Sequence, residues 1–142
     1  MTDNERQARA LLASTRFSTL SVIDAETGYP SGSLVTHAVD QQGRPILLIS
    51  TLARHTRALA ADKRASLLVQ SLEAQNSLSG LRASFQGRLE RLPRSPGLEA
   101  LWATTHPDSS IYMGLADFDF WRMEPELIHI VAGFGRIETV RL

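Results

Sequence analysis

Two periodicities run along this chain. Ala8, Leu11 and Leu12 recur at helical spacing, which predicts a helix over residues 4–14 capped by Asp3 or Asn4. The pattern then changes to alternation. Phe17 to Ile23 sets large apolar residues against small polar ones, and Ser31 to Val39 follows as a second strand. Ile46 to Thr51 is apolar on both faces, the signature of a central strand. Turns with glycine at 24–30 and 40–45 join the three into an expected antiparallel meander.

The rest of the chain continues in the same manner. Arg54 to Ala61 reads as a short helix anchored by Leu59, and Ser66 to Leu72 as a strand. A polar connector is expected over 73–80. Leu81 to Leu92 is a long strand in which Gly87 marks a bulge or a close backbone approach. Pro96 to Thr105 is a helix with proline in its first turn, ended by His106-Pro107. Phe118–Met123 and Leu127–Ala132 are strands on either side of Glu124-Pro125-Glu126. Gly133-Phe134-Gly135 breaks the second, and 136–140 resumes it. The expected architecture is mainly β, a barrel or sandwich with peripheral helices, in one domain spanning 1–142.

Composition narrows the function classes. The 142 residues carry 15 Lys+Arg against 15 Asp+Glu and no Cys. Zero net charge argues against nucleic acid as a partner. The missing cysteines exclude disulfides, thiolate nucleophiles and Cys-ligated metals. The polar N-terminus is unlike a signal peptide, and no apolar run approaches a membrane span, so a cytoplasmic protein without a membrane partner is the expectation.

The most informative stretch is Ser50-Thr51-Leu52-Ala53-Arg54-His55-Thr56-Arg57. A central strand ends in hydroxyl residues just before a basic helix start, the makings of an anion site. Arg57 offers a bidentate grip on phosphate, and Ser50, Thr51 and Thr56 offer hydroxyl donors. Arg44, Arg54, Arg57, Lys63 and Arg64 concentrate positive charge there, offset by the acids Asp117, Asp119, Glu124 and Glu126. A solvated basic helix face is the plain alternative. The histidines, His37, His55, His106 and His129, lack metal-ligand spacing, so no metal site is expected. His37 and His55 are the candidates for a haem ligand. No residue is singled out as a catalytic acid or base.

The order of these elements resembles the pyridoxamine 5′-phosphate oxidase-like split-barrel flavoproteins, most closely their haem-utilisation (HugZ-like) branch. The resemblance rests on Tyr29–Val35, Pro45–Leu59, Ala65–Val69, Phe85–Leu92 and His129–Arg136, in that order along nearly the whole chain. It implies a six- to seven-stranded antiparallel split barrel of the FMN-binding type. It further implies a homodimer with flavin sites at the subunit interface and oxidoreductase activity on a small-molecule substrate. Carried over by position, Ser33, Leu34 and Val35 face the flavin ring. Ser50 and Thr51 reach the ribityl chain and phosphate, Thr56 and Arg57 hold the phosphate with His55 beside them, and Arg82 and Arg136 add contacts. The chain departs from the pattern at Ala58, where the branch usually has Asn, and at Val131, where the oxidases place Trp. A deazaflavin would satisfy the same features as FMN. The competing expectations are a haem-binding or haem-degrading protein on this scaffold, and a non-catalytic dimeric binding module.

Overall fold

Thr2, rather than Asp3 or Asn4, caps the first helix: its hydroxyl accepts from the Glu5 amide at 3.1 Å. The computed structural model describes residues 1–72, 80–133 and 135–142. The helix α1 (Asp3–Ser14) turns Ala8, Leu11 and Leu12 into the main core. The expected connector over 73–80 lies, apart from Gly80, outside the described residues, as does Phe134 of the expected strand break.

The strands β1 (Phe17–Ile23), β2 (Pro30–Thr36), β3 (Ala38–Val39), β4 (Pro45–Ser50), β5 (Arg64–Gln70), β6 (Leu81–Leu92), β7 (Phe118–Ala132) and β8 (Ile137–Arg141) form one antiparallel sheet. Its order is β2-β1-β5-β6-β7-β4-β3, with β8 added to β7. The expected second strand, Ser31 to Val39, is therefore two strands divided at His37. Its first half pairs with β1 and its second with β4, at opposite ends of the sheet order. One bent strand thus closes the sheet into a barrel, and the expected meander survives only through that bend. Reading β2 and β3 as one strand makes this a curled, seven-stranded split barrel.

Two more expectations change. The strands expected on either side of Glu124-Pro125-Glu126 are one continuous β7. The proline is tolerated because the β6–β7 register shifts at this point: Gly87 faces Pro125 while Gln86 faces Leu127, leaving Glu126 as the extra residue. Gly87 is needed for close approach, since a Cβ there would overlap the Glu124 carbonyl oxygen. A short 3-10 helix over Pro107–Ser109 and a single helical turn over Ser110–Met113 follow α3 (Pro96–Thr105), where the sequence shows only the stop at His106-Pro107.

β4 is buried on both faces, as its composition required. Leu47 and Ile49 enter the barrel core with Phe85, Met123 and Trp121, while Ile46 and Leu48 join a second cluster with Trp102 of α3 and Phe120. The helix α2 (Arg54–Ala61) follows β4 after a short turn and buries Thr56, Ala58 and Leu59.

Candidate functional site

The turn from β4 into α2 is held by hydroxyl groups. The Ser50 hydroxyl accepts from the Leu52 amide at 3.1 Å, and the Thr56 hydroxyl donates to the Ser50 carbonyl. Ser50 and Thr56 therefore spend part of their capacity on the turn itself. Ala53 caps α2 without a side-chain bond, so the helix start has no internal anion. Arg57 donates to the Leu52 carbonyl at 3.1 Å and forms no ion pair among the described residues. Thr51, Thr56, Arg57, Arg91, Asp119 and Trp121 surround a cavity of about 370 Å³. The Trp121 indole nitrogen is buried without a partner among the described residues.

The positive segment seen in the sequence is largely neutralised. Arg44 pairs with Asp40 and Glu124, Lys63 with Glu90, and Arg64 with Asp62. Arg54 pairs with Asp24 and Glu26. The Arg54 guanidinium, with help from the Glu26 amide, holds the Asp24 carboxyl down at about 2. Of those five cations, Arg57 alone lacks a carboxylate partner among the described residues, so the anion site narrows to Arg57, the Thr51 hydroxyl and the start of α2.

The remaining residues of the expected site lie elsewhere. Ser33, Leu34 and Val35 are on β2; Leu34 is 75% exposed and Val35 is buried in the core. Arg82 faces Val131 near the end of β7 opposite to Phe118, which faces Ser50. Arg136 donates to the Ala132 carbonyl beyond β7. One chain therefore gathers Ser50, Thr51, His55, Thr56 and Arg57 but does not bring Arg82 or Arg136 to them.

The histidines divide by environment. His37 is fully buried at the β2–β3 bend. Its Nε2–H donates to the Leu12 carbonyl at 2.9 Å and its Nδ1 accepts from the Ser18 hydroxyl at 3.0 Å. Both nitrogens are used, and burial lowers its pKa. This overturns the expectation of His37 as a haem ligand: the hydrophobic core claimed it to fix the bend. His106 donates from Nε2 to the His37 carbonyl and stacks on Trp102. The His55 Nε2 is buried with no partner among the described residues, and burial lowers its pKa. His129 alone stands exposed on a strand, its Nδ1 2.9 Å from the Thr139 hydroxyl.

The barrel's outer face is the feature that residue-by-residue reading missed. By register, Leu34, Thr19, Leu68, Ser84, His129 and Thr139 form one row across β2, β1, β5, β6, β7 and β8. Small residues at Gly32, Ser21 and Ser66 flatten the next row. Apolar residues rise beside them: Phe17, Leu68 and Leu72 border a depression of about 330 Å³. A second depression of about 500 Å³ reaches Ser66, Gln86, Leu127 and Arg141. Alternation within each strand contained this signal; assembling it required the strand order.

A curled antiparallel sheet closed by one bent strand, with a helix packed at the end of β4, defines a split-barrel protein. The model of the CREG β-barrel family matches residues 1–142, and the chain belongs to that family. It is 34% identical over 108 residues to Non-canonical heme oxygenase HOZ, chloroplastic, of Arabidopsis thaliana, covering 75% of this chain and 33% of that protein. The chain thus spans about a third of that relative's length. A heme binding protein from Mycobacterium smegmatis superposes with a TM-score of 0.87 at 29% identity, over 99% of this chain and 59% of that one. HutZ, the heme storage protein from Vibrio cholerae, shares the fold with a TM-score of 0.72 at 23% identity, over 93% of this chain and 96% of its own. Among the described residues no helix is long and apolar enough to cross a membrane.

Proposed function

We propose that this chain is a haem-binding split-barrel protein that holds the macrocycle on the outer face of its sheet, between two copies of itself. The observation that carries the reading is the 34% identity to a heme oxygenase across three quarters of the chain. The likeness to the mycobacterial heme binding protein supports it. The outer face fits such a ligand chemically. Small hydroxyl residues at Ser21, Ser66 and Ser84 leave room for a flat ring, and Leu34, Leu68 and Phe17 offer apolar contact.

FMN is the second reading, and Arg57 favours it. An arginine with no carboxylate partner among the described residues, beside a Thr51 hydroxyl that is also unbonded among them and an uncapped helix start, suits a phosphate. In that reading Ser33–Val35, Arg82 and Arg136 reach the flavin across the subunit interface, and the protein is an oxidoreductase of the pyridoxamine 5′-phosphate oxidase-like kind. The experiment that separates the two is parallel titration of the purified chain with hemin and with FMN. Haem binding predicts a saturable Soret change that Arg57→Ala leaves intact, with FMN fluorescence unquenched. Quenching of FMN that disappears in Arg57→Ala, without a hemin response, would replace the haem reading by the flavin one.

A further inference from the structure

The haem reading leaves the iron without a named protein ligand, and we propose that His129 supplies it through Nε2; this assignment rests on that reading. The other histidines have Nε2 either bonded or buried. His37 has both nitrogens bonded in the core. His106 has its Nε2 on the His37 carbonyl, and the His55 Nε2 is buried. His129 projects from β7 on the outer face, where Ile128 and Ile130 alternate with it into the core.

Its ring is oriented as a ligand requires. Thr139 lies directly opposite on β8, and its hydroxyl is 2.9 Å from Nδ1. In the tautomer that carries its proton on Nδ1, that hydroxyl accepts it, and the Nε2 lone pair is left for iron. Nε2 has no hydrogen-bond partner among the described residues. Haem iron already holds four ring nitrogens, so one histidine suffices. That matches a molecule in which, among the described residues, no three His or carboxylate groups gather for a bare metal ion.

The surroundings suit the rest of the macrocycle. Ser84, directly opposite on β6, is small and leaves the approach open. Leu127 and Val131 flank His129 on the same face, and Ile137, diagonal to it on β8, is 67% exposed. The depression of about 500 Å³ opens beside it, bordered by Gln86, Leu127 and Arg141. That volume is within the range of small-molecule pockets. Arg141 forms no ion pair among the described residues and offers a guanidinium to a propionate carboxylate.

Hemin titration of the 142-residue chain, followed by absorbance and resonance Raman, tests the assignment. His129→Ala should weaken hemin binding at least tenfold and lose the iron–imidazole stretch, and added imidazole should restore the spectrum. Thr139→Val should keep the ligand but shift that stretch, which a merely structural role would not do. His55→Ala should leave both unchanged. If His129→Ala binds hemin with the wild-type spectrum and affinity, His129 is overturned while haem binding stands. If the wild-type chain binds no hemin, both fall. Should His129→Ala lose its native circular dichroism, His129→Tyr decides: a phenolate-to-iron band supports the assignment, and a retained imidazole signature overturns it.

Discussion

At the scale of single residues, burial decides which polar groups remain available for chemistry. His37 is the clearest case, because its two ring nitrogens tie the β2–β3 bend to α1 and β1 through Leu12 and Ser18. Replacing it by Ala leaves a cavity, a carbonyl and a hydroxyl unpaired in the core. We expect a loss of about 2–4 kcal/mol, read from urea unfolding. An unchanged midpoint would show that the bend does not depend on the ring. The same burial makes stability depend on pH. In the unfolded chain His37 and His55 titrate near the ordinary value of 6.5, while desolvation holds both neutral to lower pH in the fold. Between those values the unfolded chain binds more protons, so stability is full above pH 6.5 and falls as pH drops through the folded pKa values. Melting temperatures at pH 7.5 and 5.5 should show this fall, and His37→Gln should reduce it. A flat profile in the wild type would contradict the assignment. Asp24, held at about 2 by Arg54, adds nothing in that window.

At the scale of elements, periodicity and punctuation were good guides where a strand or helix answers to its own residues. The Arg54–Ala61, Pro96–Thr105 and Leu81–Leu92 segments stand where their patterns put them. They failed where a partner strand decides. Nothing local to Glu124-Pro125-Glu126 reveals that β6 offers a glycine opposite the proline, so a continuous β7 reads as two strands. Likewise the bend at His37 is invisible to alternation, since its cause is the closing of the barrel. The β6–β7 bulge carries its own prediction. A Cβ at residue 87 would meet the backbone of Glu124 and Pro125, which no rotamer change relieves. Gly87→Ala should therefore cost about 2–4 kcal/mol in urea unfolding, whereas Pro125→Ala should cost less than about 1 kcal/mol. Equal effects at the two positions would show that β6 can retreat from β7.

At the scale of the whole molecule, the sequence-level cation cluster and the site behave differently. Four of its five cations are consumed by Asp40, Glu124, Asp24, Glu26, Glu90 and Asp62, pairings that depend on tertiary neighbours and leave Arg57 as the residue a composition count could not isolate. The outer face shows the converse, because its residues are individually unremarkable and form a surface only in strand order. A sheet face that met only water would carry long charged side chains across its middle. Here the middle is Thr19, Ser21, Ser66 and Ser84, with Leu34 and Phe17 exposed beside them. Small residues between apolar ones suit close contact with another flat surface, and zero net charge gives two copies no reason to repel. The chain should therefore sediment at twice its 15.7 kDa. Ser66→Arg, which sets a guanidinium in the centre of that face without touching the core, should return it to the monomer mass with its circular dichroism unchanged. It should also weaken hemin binding if the macrocycle is enclosed between the two faces. A wild-type chain that stays monomeric at tens of micromolar would refute the pairing, and hemin bound by that monomer with full affinity would place the macrocycle on a single open face.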